Sequence, residues 1–181
     1  MTLAKTPIFT IGHSTRSIEA FVDLLRSGRV EQVVDIRTIP RSRTNPQYNP
    51  TSLAASLSDH QIGHSQLPEL GGRRPKSKTV PDPVNAFWQN RSFHNYADHA
   101  LSEEYRRGFA TLMDLSLRRR CAIMCAEAVW WRCHRRIVAD YLLAAGREVF
   151  HLMGDDRIDP AKMTPAAVRR DDHLIYPATP T

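Results

Sequence analysis

Pro7-Ile8-Phe9-Thr10-Ile11-Gly12-His13-Ser14-Thr15 opens as a short apolar run and ends in a glycine followed by polar side chains. That is the pattern of a buried strand running into a loop. Ser17 then stands where a helix N-cap is wanted, and Ile18, Phe21, Val22 and Leu25 recur at the spacing of one helical face. Gly28 supplies the stop. A second apolar run, Gln32-Val33-Val34-Asp35-Ile36-Arg37, follows directly. Strand, helix, strand in so short a span is a βαβ unit, which implies parallel pairing with a right-handed crossover.

Working outward, the pattern breaks over 38–50, where Pro40, Pro46 and Pro50 punctuate a polar loop. A short helix through Leu57 and a third strand at Gly63–Leu67 are expected, although His64-Ser65-Gln66 is polar for a strand interior. A second irregular loop is expected over 71–86. Ser102 caps the next helix, with Glu103 and Glu104 in its first turn and Arg118-Arg119-Arg120 at its end, the charge order that a helix dipole favours. Cys121–Cys125 reads as the fourth strand, a helix is expected from about Cys133 to Gly146, and Glu148–Met153 reads as the last strand. The tail from about Asp155, rich in proline, reads as irregular. Together these predict one α/β domain over 1–181. Its three layers hold a mostly parallel sheet of about five strands flanked by helices.

Composition limits the function classes. The 181 residues carry 41% hydrophobic and 24% charged side chains, ordinary values for a globular chain. No apolar stretch reaches the length of a membrane span, and Met1–Pro7 lacks the apolar core of a signal peptide, so a cytoplasmic location without membrane partners is expected. Three cysteines do not suggest a disulfide framework. The net charge of +6, carried mainly by arginine, favours an anionic partner such as a nucleotide or nucleic acid.

The densest chemistry lies in Met124-Cys125-Ala126-Glu127-Ala128-Val129-Trp130-Trp131-Arg132-Cys133-His134-Arg135-Arg136, where a strand gives way to a helix. Open α/β sheets bind ligands at such junctions. If the strands end on one rim, that rim gathers His13, Ser14, Asp35, Arg37, Cys125, Glu127, Cys133, His134 and Arg135.

Each has two readings. His13 is a catalytic imidazole or one tied to backbone. Ser14 binds substrate or helps to cap the first helix. Asp35 and Arg37 orient a ligand or form a structural ion pair. Cys125 is a thiol of the site or a small core residue. Cys133, at a helix start beside His134 and Arg135, has the surroundings that lower a thiol pKa, and the same surroundings bind anions. Glu127 is a general base tuned by burial against arginines, or a partner of Arg132 or Arg135. Trp130 and Trp131 stack on a base or wall the core. Gly71-Gly72-Arg73-Arg74 offers a backbone nest with added charge, and Arg41-Ser42-Arg43 extends the basic edge.

Several familiar chemistries are not matched. The Cys, His and Glu spacings do not fit a closed zinc site. Arg132 falls one position beyond where a cysteine-phosphatase loop starting at Cys125 needs it. Neither a P-loop nor a dinucleotide glycine fingerprint is present. No metal and no cofactor is identified.

Thr10-Ile11-Gly12-His13-Ser14, Val34-Asp35-Ile36-Arg37 with Pro40-Arg41-Ser42, and Leu67-Pro68-Glu69-Leu70-Gly71-Gly72 occur in this order. With Cys125-Ala126-Glu127 and Cys133-His134-Arg135 they make the chain resemble the domain of unknown function 488 family. The resemblance implies a compact α/β domain of bacterial or archaeal type and supplies no reaction. The expected activity is binding of a phosphate-bearing ligand, with hydrolase or transferase chemistry through Glu127 as acid or base and Cys133 or Cys125 as thiol. Arg37 and Arg135 would then hold the anion. The alternatives are a non-catalytic nucleic-acid-binding module and a thiol-redox or metal sensor.

Overall fold

The computed structural model describes residues 6–178; Met1–Lys5 and the last residues of the tail, Pro180 among them, lie outside the described residues. Strand β1 (Ile8–Gly12) leads through α1 (Ile18–Ser27) to β2 (Gln32–Asp35), as the opening pattern predicts. The Ser17 side chain accepts the Ala20 N–H, and Phe21, Val22, Leu24 and Leu25 are buried on one face. The remaining elements are α2 (Pro50–Ser58), β3 (Gly63–Gln66), α3 (Arg91–His99), α4 (Glu103–Arg118), β4 (Cys121–Cys125), α5 (Arg135–Ala144) and β5 (Val149–Gly154). They are followed by β6 (Arg157–Pro160), β7 (Val168–Arg170) and β8 (His173–Ile175).

The main sheet has six strands in the order β3-β2-β4-β1-β5-β6. Five are parallel, and β6 folds back antiparallel on β5. One core lies between the sheet and α1 and α2, with Phe9, Ile11, Val33, Met124 and Leu152 pointing that way. The other lies between the opposite face and α3, α4 and α5, with Ile8, Val34, Ile36, Cys121 and Ile123 pointing that way. The strands are therefore apolar on both faces, as a sheet covered by helices on both sides requires.

The expected third strand is present, the expectation of an irregular tail is corrected, and one helix was not expected. The polar β3 is a real strand because it is the edge of the sheet, where only one side pairs; Ser65 accepts a hydrogen bond from the Gln32 side chain at 2.6 Å. The region expected as an irregular tail carries β6 and the β7–β8 hairpin. It is tied down by Asp140, which accepts from Thr164 N–H and Tyr176 O–H, both at 2.9 Å. Helix α3 was hidden behind a loop whose proline and lysine pattern gave no periodicity. Its start is nonetheless signed by Asn90, whose side chain accepts the Ser92 and Phe93 N–H groups.

Among the described residues no helix is long and apolar enough to cross a membrane.

The connection after β2 runs outward to β3, whereas that after β4 runs the other way to β5. The carboxyl ends of β2 and β4 are thus a topological switch point, where α/β sheets open a crevice.

Candidate functional site

A cleft of about 490 Å³ opens at that switch point. One wall is the chain after β2 (Arg37, Thr38, Ile39, Arg41) and another is the chain after β4 (Cys125, Ala126, Glu127). Gly72 and Arg73 close one side; Asn90, Ser92 and Phe93 from the start of α3 close another. Arg132, Cys133 and His134, leading into α5, complete it. Two helix N-termini therefore face the cleft, and both favour negative charge there.

The strand ends are held together at close range. The His13 and Ser14 N–H groups donate to Cys125 O and Ala126 O, both at 2.9 Å, so β1 pairs with the loop after β4 past the end of the strand. Gly12 permits this, since a Cβ there would lie 1.7 Å from Glu127 O. Gly72 plays the same part against the histidine, because a Cβ would fall 2.4 Å from His134 Nδ1. Gly71 packs on Thr38, whose hydroxyl accepts the Arg73 N–H at 2.8 Å.

Arg135 organises the floor. It is fully buried. Its Nε donates to Thr10 Oγ1 at 3.2 Å, its Nη1 to Glu127 O at 2.5 Å and its Nη2 to Ala128 O at 3.1 Å. Nη1 also donates to Cys125 Sγ at 2.6 Å, and the Arg135 N–H donates to Cys133 Sγ at 3.4 Å. No carboxylate is among these partners. Burying a guanidinium without one costs several kcal/mol unless other acceptors compensate.

The Glu127 and Ala128 carbonyls, the Thr10 hydroxyl and the Cys125 sulfur supply that compensation. Burial alone would raise the Cys133 thiol; its neighbour Cys125, the Arg135 charge and the Arg135 N–H bring it down to about 7. Cys125 moves the opposite way: burial first, and then the neighbouring Cys133, push it well above its ordinary value.

Three histidines around this core are neutral, each first because of burial. His134 is lowered; it donates Nε2–H to Ile36 O at 3.0 Å, which leaves the Nδ1 lone pair 3.5 Å from Cys133 Sγ. His13 is lowered; it donates from Nδ1 to Ser14 O at 2.8 Å, accepts from Arg37 Nη1 at 3.3 Å and stacks on Tyr48 at 4.2 Å. His151, near β1, falls to about 4 through burial and the Arg135 charge, and its Nδ1 accepts from Thr10 Oγ1 at 2.6 Å.

The structure sorts the expected site residues. Cys125, Glu127, Cys133, His134, Arg37, Arg41, Gly72 and Arg73 line the cleft. Arg135 lies just beneath it. His13, Ser14, Asp35 and Gly71 are not lining residues. Asp35 is buried in a forked pair with Arg37, at 2.9 Å from Nε and 2.6 Å from Nη2, so the structural reading of that pair is what the geometry displays. Ser14 does not cap α1, since Ser17 does; it sits at a positive φ of 49° in the turn after β1. Trp130 and Trp131 also lie off the cleft. Trp130 stacks on His151 at 4.7 Å, and Trp131 meets Trp130 edge-on.

Glu127 differs from the expected buried base. Its side chain is exposed and its backbone carbonyl, not its carboxylate, meets Arg135. Among the described residues no three His, Cys, Asp or Glu side chains converge as a metal-ligand set.

Arg132, Thr38, Ile39, Asn90, Ser92 and Phe93 were missed from sequence. Arg132 stood inside the quoted motif and was passed over for its neighbours. The Asn90 cap was the signal for the last three.

A model of the family described as "Domain of unknown function DUF488" matches residues 17–142. Nothing among curated proteins and nothing among solved structures matches the chain.

Proposed function

From the premise that this chain belongs to the DUF488 family, whose description assigns no reaction, we propose that the cleft binds a phosphate-bearing ligand of nucleotide type. The observation that carries this is a set of three exposed guanidinium groups, Arg41, Arg73 and Arg132, which line the cleft and have no side-chain partner among the described residues. Among the described residues that line the cleft, Glu127 is the one acidic side chain.

An arginine paired with a carboxylate is spent on structure, as Arg37 is on Asp35. Unpaired arginines lining a cleft that two helix N-termini face are free to grip phosphate oxygens in the bidentate way that suits the guanidinium fork. The cleft volume is in the range of small-molecule sites. Phe93, half-buried on its wall, offers an aromatic face for a base. Three unpaired cysteines suit a reducing compartment such as the cytoplasm, where such ligands are abundant.

The test is binding of a fluorescent nucleoside triphosphate to the wild type and to R73A/R132A. The double variant is expected to bind at least about tenfold more weakly, or about 1.4 kcal/mol. Wild-type affinity should also fall as salt rises, because screening weakens exposed charge pairs. Equal affinity in both proteins, indifferent to salt, would remove the assignment.

A further inference from the structure

The basic surface does not end with the cleft. A second cavity, of about 570 Å³, is lined by residues 74–80, by Asn95, Asp98 and His99 of α3, and by Ser102 and Glu104. The two cavities share two walls. Gly72 and Arg73 line the first, and the chain directly after them lines the second. The start of α3 faces the first, and residues further along α3 face the second. The shared loop is held in shape. Arg74 donates from Nη2 to Pro68 O at 2.6 Å and from Nε to Gly71 O at 3.0 Å, and it pairs with Glu104 at 3.2 Å. Its own carbonyl accepts from Asn95 Nδ2 at 3.1 Å, and Ser77 Oγ accepts the Thr79 and Val80 N–H groups, both at 3.1 Å. A loop fixed in this way presents its side chains with little further ordering cost. Among the described residues lining the second cavity, both carboxylates are engaged: Glu104 by Arg74, and Asp98 by the Asn85 amide at 2.7 Å. Lys76 and Lys78 are exposed and form no ion pair among the described residues.

We propose that the ligand of the cleft is one nucleotide of a single-stranded nucleic acid, whose phosphate backbone continues over Arg73 and along the loop to Lys76 and Lys78. This extension rests on the nucleotide reading of the cleft. A free nucleotide held by Arg41, Arg73 and Arg132 leaves both lysines without a partner. A strand gives them one. Lys78 stands five positions beyond Arg73, at most about 18 Å of chain. Successive phosphates of a helical strand advance about 3.4 Å, so the loop is long enough to follow several of them. The strand is single because Phe93 can stack only on a base that is free of a duplex. Contacts from lysine and arginine to phosphate fix the path of the strand and carry no sequence information, so binding is tolerant of sequence.

The experiment compares the wild type with K76A/K78A. The probes are the fluorescent nucleoside triphosphate, labelled single strands of DNA and of RNA about ten nucleotides long, and the same DNA strand annealed to its complement. Both lysines are exposed and lie outside the nucleotide cleft, so the variant should fold and bind the triphosphate as the wild type does. The wild type should bind at least one single strand more tightly than the triphosphate or the duplex, and excess triphosphate should displace that strand. K76A/K78A should bind it about fivefold more weakly, the loss expected for two exposed charge pairs. The slope of log affinity against log salt should become shallower by about 1.4, or about 0.7 for each phosphate contact removed. A variant that binds triphosphate and strand both as the wild type does would overturn the proposal and leave the cleft reading standing. So would a duplex bound as tightly as the single strand, or a strand that excess triphosphate does not displace. A wild type that binds no triphosphate would remove the cleft reading itself, and this extension with it.

Discussion

Replacing Arg135 by methionine tests whether the buried guanidinium holds the strand ends and the thiolate together. Methionine keeps most of the side-chain volume but none of the donors. The four side-chain bonds to Thr10, Cys125, Glu127 and Ala128 are lost. Two of the acceptors are backbone carbonyls, and a buried acceptor without a partner costs about 1–3 kcal/mol. Removing one member of a buried charged set typically costs about 3–5 kcal/mol, and the two carbonyls together give a similar figure. R135M should therefore be less stable by about 3–5 kcal/mol, a large part of an ordinary domain's stability. Denaturant unfolding under reducing conditions, with an unchanged slope, reads this directly. The second readout is the thiolate absorbance of Cys133, which should titrate near its ordinary value of 9.0 rather than about 7. Arg135→Lys should restore part of that shift, because it keeps the charge, but not the carbonyl bonds, because it lacks the fork. A stability loss under about 1 kcal/mol together with a Cys133 that still titrates near 7 would refute the reasoning.

Other perturbations follow from the same geometry. The Cys133 thiol is lower in the folded state than in the unfolded, so its contribution is complete above pH 9 and is lost as pH falls through 7, by about 2–3 kcal/mol. Cys125, held protonated in the fold, takes stability back as pH rises beyond 9; the gap between wild type and C133S should thus widen from pH 6.5 to 8.5, and parallel curves would contradict it. His151 is depressed from 6.5 to about 4, so the neutral ring contributes above pH 6.5 and roughly 3 kcal/mol is lost as pH falls through 4. Its imidazole signals should not titrate at neutral pH by NMR; a midpoint near 6.5 would show a ring open to water. Gly72→Ala puts a Cβ 2.4 Å from His134 Nδ1, so the ring must turn and release Ile36 O. Overpacking of this kind costs about 1–3 kcal/mol in a denaturation midpoint, and wild-type stability in that variant would show that the ring is not fixed.

The opening βαβ unit was legible because its signals agree: an apolar run, a serine cap, one helical stripe and a glycine stop point to one structure. Ser102 and the glutamates after it made α4 equally plain. β3 was obscured by its own position, since an edge strand needs no apolar alternation on its outer side. β6 and the β7–β8 hairpin were obscured because proline and charge dominate their sequence, while their anchors, Asp140 and Asn85, lie far away in the chain.

The site was half legible. Cys125, Cys133, His134 and Arg135 were visible as a cluster, and the structure brings them together. Their division of labour was not visible. Arg135 is distinguished from Arg132 and Arg136 only by burial, which sets one guanidinium under the floor and leaves Arg132 exposed on the cleft. Asp35 and Arg37 read equally as ligand or structural groups until the forked bond was seen. The tryptophans attracted attention through rarity, yet Trp130 spends its face on His151. Phe93, the aromatic that does line the cleft, sits on a helix whose buried face mixes Tyr96 and Ala97 with the polar His94 and Asp98.

The most direct test of the account is a crystal structure of the protein grown with a nucleoside triphosphate. The account predicts density for phosphate groups in the cleft, contacted by Arg73 and Arg132, with the base against Phe93. Density elsewhere on the surface, or an empty cleft at saturating ligand, would contradict it.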